Sequence, residues 1–151
     1  MGVSGCGKST VGKLLAKRLG CRFLDADEFH PPANVAKMAA GTPLTDADRL
    51  PWLENLNGKL LEDRNTVLAC SALKESYRQI LAKGSDDCRV IHLRGSIELI
   101  RARLTERRHR FMPASLLESQ FAALEAPQRG IDVDIAQPPE RCVETILAAL
   151  G

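Results

Sequence analysis

The chain has 151 residues, 44% hydrophobic and 26% charged, with 21 Lys+Arg against 19 Asp+Glu and a formal net charge of +2. That length suits one globular domain spanning 1–151, able to bury most of its apolar surface, and so balanced a charge argues against a nucleic-acid binder. No apolar run approaches the roughly 18–20 residues of a membrane span, and five scattered cysteines without a CxxC pair suggest reduced thiols in a soluble, cytoplasmic protein rather than a disulfide framework or a zinc site.

Residues 2–9 read Gly2-Val3-Ser4-Gly5-Cys6-Gly7-Lys8-Ser9, the spacing GxxxxGKS. From Lys8 to Leu19, Val11, Leu14, Leu15 and Leu19 recur at helical spacing, and Gly20 supplies a stop. Arg22 to Leu24 is a short strand ending at Asp25-Ala26-Asp27. Pro32 to Ala40 is a short helix closed by Gly41. Thr45 caps the next helix, with acids favourable in its first turn, and Trp52, Leu53, Leu56, Leu60 and Leu61 form its core stripe. Thr66 to Cys70 is the continuous apolar run of a buried parallel strand. A helix over 73–83, a strand over 89–93 and a helix from Ser96 toward Arg107 follow. Pro113 opens another helix, to about Glu125. A strand over 131–135 and a helix over 138–150 complete the chain. The alternation predicts a three-layer α/β/α fold with a parallel sheet.

The glycine-rich octet carries the most chemistry. Gly2, Gly5 and Gly7 let the backbone wrap so that N–H groups point at phosphate oxygens. The helix opening at Lys8 adds its N-terminal dipole. Residues Gly2 through Thr10 thus form a nucleotide-phosphate cradle. Lys8 reaches the β- and γ-phosphates, and the Ser9 hydroxyl ligates Mg²⁺. The strand ending Leu68-Ala69-Cys70 lacks the Asp of a Walker B motif. Asp25 is the substitute, orienting Mg²⁺ through water. Only Met1 precedes Gly2, whereas a P-loop normally follows a buried strand, so the central first strand is expected to be missing. Two explanations stand: a start at an internal Met, the preferred one, or a shortened variant with impaired folding.

The chain resembles the small P-loop gluconokinases, relatives of shikimate and adenylate kinases. The resemblance runs in order through the P-loop, Phe23-Leu24-Asp25-Ala26-Asp27-Glu28-Phe29-His30-Pro31, Asn34, Lys37-Met38, the segment Gly41 to Leu53, Cys70-Ser71-Ala72-Leu73-Lys74, Tyr77-Arg78, Gln120-Phe121 and Leu124-Glu125. It implies transfer of the γ-phosphoryl of ATP, with Mg²⁺, to the 6-hydroxyl of D-gluconate, in a protein that is often a homodimer. For such a substrate Arg49, Lys74 and Arg78 suit the carboxylate, and Asp27 and His30 suit the hydroxyls, with Asp27 orienting the attacking oxygen. Six arginines against two acids lie between Arg94 and Arg110. By the same resemblance Arg103 and Arg107 close over the phosphates beside a lid at about 107–113, with Arg101, Arg108 and Arg110 less closely matched. There the chain departs from its relatives, carrying His109-Arg110-Phe111 where they usually have Gly-His-Phe.

Overall fold

The computed structural model describes residues 1–106 and 114–151. The segment expected as a lid, 107–113, with Arg107, Arg108, His109 and Arg110, lies outside the described residues.

Helix α1 (Lys8–Leu19) starts at Gly7 and ends at Gly20, whose N–H caps the Ala16 and Lys17 carbonyls. Strand β1 (Arg22–Asp25) follows and runs into a 3₁₀ turn, Ala26–Phe29. Then come α2 (Pro32–Ala39), α3 (Asp46–Glu62), β2 (Thr66–Ala69) and α4 (Glu75–Ala82). The second half supplies β3 (Ile91–Arg94), α5 (Ile97–Glu106), α6 (Ala114–Ala123), β4 (Ile131–Asp134) and α7 (Pro139–Leu150). Every helix and strand expected from the sequence over the described residues is present. The 3₁₀ turn after β1 is the addition.

The strands are parallel, as expected, and form two pairs, β1 with β2 and β3 with β4, divided where the central first strand was expected to be missing. Between the pairs runs a slot of about 450 Å³, with Val11, Leu15, Val67, Leu68, Ile91 and Leu93 among its walls. Residues 1–2 bridge its end. Met1 donates its amino group to the Ile91 carbonyl at 2.5 Å and accepts from Leu93 N–H at 3.0 Å, while Gly2 N–H reaches the Ser71 carbonyl at 3.1 Å. The halves are therefore aligned in parallel, but β2 and β3 stand too far apart to pair directly. That places the start of the P-loop between the two pairs, near the C-terminal ends of β2 and β3.

Two cores flank this arrangement. Val3, Cys6, Val11, Leu15, Leu93, Ile100, Leu117, Val133 and Ile146 form the one that holds the P-loop and α1 against β3, β4 and α7. Ala26, Trp52, Leu53, Leu56, Cys70, Tyr77 and Leu81 form the other, between α3, α4 and the ends of β1 and β2.

The start of α3 is fixed by a capping box. Asp48 N–H donates to Thr45 Oγ1 at 3.1 Å, and Thr45 N–H donates to Asp48 Oδ2 at 2.9 Å. Lys37 Nζ lies 2.8 Å from the same carboxylate. Thr45→Ala is expected to cost about 1 kcal/mol, a fall in Tm of about 2–4 °C for a chain of this size. The bonds from Lys37, and next from the Thr45 backbone, pull the Asp48 carboxyl from 3.8 down to about 2. A carboxylate depressed on folding stabilises above its unfolded pKa and loses that contribution as pH falls through the folded value. Asp48→Asn should therefore lower Tm at pH 7, and its deficit should shrink between about pH 4 and pH 2; thermal melts at both ends of that window check this.

Candidate active site

The P-loop is built on positive φ angles and close packing. Gly7 has φ +94°, a region L side chains rarely adopt, and it leads directly into α1 with no side chain to cap the helix. The first-turn N–H groups of α1 are thus left for an anion. Gly5 has φ +82°, and a Cβ there would come within 2.9 Å of Leu104, so α5 packs against bare backbone. Val3 and Cys6 are buried and anchor the loop from below. Lys8 curls back over it, Nζ 3.0 Å from the Val3 carbonyl.

Ser9 and Asp25 meet. The Ser9 hydroxyl donates to Asp25 Oδ2 at 2.7 Å, and the other carboxylate oxygen accepts Asp27 N–H at 3.1 Å. This follows from the order of elements: α1 returns antiparallel to β1, so the end of β1 arrives beside the first turn of α1. A hydroxyl and a carboxylate are hard oxygen donors of the kind Mg²⁺ takes, with phosphate and water completing its shell. The chemistry of this pair fits the ion. Cys70, at the same end of the sheet, is no competing ligand. Burial pushes its thiol up to about 11, with Lys8 and Asp27 close enough to act on it in opposite directions.

The 3₁₀ turn carries the chain from Asp25 to the substrate side and is held from beneath. Trp52 Nε1 donates to the Ala26 carbonyl at 2.8 Å, and its ring stacks on His30 with centroids 4.1 Å apart. Asn34, buried, donates to the Asp48 carbonyl at 3.0 Å and lies 3.4 Å from His30 Nδ1. Burial lowers the His30 pKa, Asp27 opposes that and Arg49 reinforces it.

Lys74 joins Arg49 at Tyr77. The Arg49 guanidinium and the Lys74 ammonium lie 5.7 and 5.6 Å from the centre of the Tyr77 ring. Lys74 also pairs with Asp46 at 3.1 Å, and the Tyr77 hydroxyl donates to the same carboxylate. These partners, Tyr77 first, hold the Asp46 carboxyl below its ordinary value. The Arg49 guanidinium is braced by the Leu44 carbonyl.

Arg78 is placed differently from the other expected substrate residues. It is buried, and its five N–H donors are engaged by Glu75 and by the carbonyls of Ala72, Leu73 and Glu125. It has no free donor for a carboxylate. Instead it fixes the turn at Ala72, whose φ of +42° lies in the left-handed region. Arg103 reaches the Ile135 carbonyl at the end of β4. Arg101 lies 3.5 Å from Glu118 and ties α5 to α6.

Tyr77, Asp46 and Trp52 were not singled out as site residues by sequence reasoning. Tyr77 had a usable signal, since it stands three residues after Lys74 and shares its face. Asp46 read as a helix-start acid and Trp52 as core, which both also are.

The shikimate kinase family model matches residues 4–128. The chain is 45% identical to a probable gluconokinase of Rattus norvegicus, over 99% of this chain and 95% of that protein. It is 46% identical to the thermosensitive gluconokinase of Escherichia coli K12, over 98% and 86%. The crystal structure of a gluconokinase from Sinorhizobium meliloti 1021 superposes with a TM-score of 0.92 at 43% identity, covering 99% of this chain and 88% of that one. With its P-loop, its Ser9–Asp25 corner and this likeness over nearly its whole length, the chain belongs to the gluconokinases within the shikimate kinase family of P-loop kinases.

Proposed function

We propose that this protein transfers the γ-phosphoryl group of ATP to the 6-hydroxyl of D-gluconate, giving ADP and 6-phospho-D-gluconate. The observation that supports this reading most is the pair of cations, Arg49 and Lys74, against the Tyr77 ring, with Asp27 held by its N–H to the Asp25 carboxylate of the Ser9–Asp25 corner, in a chain 43–46% identical to gluconokinases. Gluconate has a carboxylate at one end and hydroxyls along the rest, so a site for it needs cations on one side and acceptors on the other. Arg49 and Lys74 supply the first; Asp27 and His30 supply the second.

Each residue then has a task. The first-turn amides of α1 hold the β-phosphate end of the triphosphate, and Lys8 swings from the Val3 carbonyl to the transferring group. Ser9 and Asp25 would hold Mg²⁺, which when bound neutralises charge on the β- and γ-oxygens. Asp27 accepts the proton of the attacking 6-hydroxyl and aims that oxygen. Phosphoryl transfer depends more on alignment and charge neutralisation than on a strong base. Arg103 belongs to the group that closes over the phosphates, together with Arg107 of the lid. All five cysteines are free thiols, which fits a reducing, cytoplasmic setting.

Shikimate is the natural rival acceptor, being another hydroxylated carboxylate, and AMP is a second. A coupled assay of ADP release should give gluconate a kcat/KM at least about 10³-fold above either; a selectivity of that size asks for roughly 4 kcal/mol of differential binding. Equal or better turnover of shikimate would reject the assignment.

A further inference from the structure

Gln120 makes two hydrogen bonds across 116 positions of sequence. Its Oε1 accepts the Ser4 N–H at 2.7 Å, and its Nε2 donates to Ser4 Oγ at 3.0 Å. Ser4 is the residue just before Gly5, at the leading edge of the phosphate loop. A loop that turns its later amides inward for an anion has no carbonyl of its own to offer the Ser4 amide, and Gln120 supplies one. The platform beneath Gln120 is fixed. Leu117, one helical turn earlier, is 1% exposed in the core that also contains Val3, Cys6 and Ile100. Beyond the end of α6, Glu125 accepts the Glu75 N–H at 2.7 Å, and its own N–H donates to the Leu73 carbonyl at 2.9 Å. One helix therefore grips the phosphate loop at Gln120 and leads to a brace on the substrate-side turn at Glu125.

We infer that Gln120 is a positioning residue for the nucleotide, holding the leading edge of the P-loop in the shape the triphosphate needs through its paired hydrogen bonds to Ser4. It touches neither phosphate nor acceptor. Its effect is to remove a freedom the loop would otherwise have to lose on binding. The inference rests on ATP being the donor, but not on the identity of the acceptor.

The test is calorimetric titration of the whole protein with AMPPNP and Mg²⁺, without acceptor, combined with melts and gluconate kinetics. Gln120→Met keeps the length of the side chain and removes both hydrogen bonds. It should weaken nucleotide binding about tenfold, the scale of two modest hydrogen bonds, with Tm within a few degrees of wild type and KM for gluconate within about twofold. Ser4→Ala removes one bond and should weaken binding about threefold; added to Gln120→Met it should change nothing further, because its partner is already gone. Nucleotide affinity within twofold of wild type in Gln120→Met, with or without a fall in Tm, overturns the inference, as do independent, additive effects. Should Gln120→Met fail to fold, unchanged affinity in Ser4→Ala overturns it alone. Absent gluconate turnover with these affinity changes intact would count against the acceptor and not against Gln120.

Discussion

Replacing Lys8 by Met is expected to lower kcat for phosphoryl transfer by about 10²–10³-fold, the scale of removing one preorganised charge from a transition state, while leaving Tm within about 4 °C. The two halves of that expectation have separate causes. Lys8 lies on the outside of α1, half-buried, and its ammonium bonds the Val3 carbonyl at 3.0 Å. That carbonyl loses its cation in the variant, and among the described residues folding loses at most about one backbone hydrogen bond. Catalysis loses more, because Lys8 is the loop's own mobile positive charge and the transferring group carries most of its charge on oxygens that amides alone do not neutralise. The first-turn amides and the Ser9–Asp25 pair remain, so nucleotide binding should weaken far less than turnover. Steady-state kinetics beside a melting curve checks both halves. A kcat within tenfold of wild type would show that Lys8 is not at the transferring phosphate.

Asp27→Asn should produce the second large effect. We expect kcat to fall by about 10²–10⁴-fold, the range for a positioned proton acceptor, with KM for ATP changed less than about threefold. The substitution is nearly isosteric, and the contact that places residue 27 is made by its backbone, N–H to Asp25 Oδ1 at 3.1 Å. The turn and the Ser9–Asp25 corner should survive. The carboxylate charge also has a neighbour that reports on it: Asp27 favours the imidazolium form of His30, against burial and Arg49. Removing the charge must lower the His30 pKa further, and a downward shift of its NMR titration midpoint would place Asp27 on the substrate face independently of kinetics. A raised KM for ATP with kcat retained would instead assign Asp27 to nucleotide binding.

Most of the fold was legible because its signals are local. The GxxxxGKS spacing, the Gly20 stop, the Thr45 cap and the apolar run at Thr66 each act within a few residues, and each marks a real boundary or element. The proposed acceptor residues Asp27, His30 and Arg49 lie in segments whose residue types already suited a polyol acid. Arg78 shows where such reading fails. A cation in the right segment looks the same in sequence whether it faces a ligand or is buried among carbonyls, and only the turn at Ala72 decides which. The stacking of Trp52 under His30 and the Gln120–Ser4 pair depend on residues brought together from far apart, for which single-chain patterning carries no signal. The 3₁₀ turn after β1 was missed for a different reason: four residues are too few for a period, and its capping by Asp25 reads equally well as the end of a strand.

The most direct test is phosphorus NMR of the product formed from ATP, Mg²⁺ and D-gluconate by this protein. The account predicts a single phosphomonoester on the terminal CH₂–O carbon, formed in step with ADP and lost in Asp27→Asn. Release of free phosphate alone, or no transfer by a protein that binds ATP normally, would contradict it.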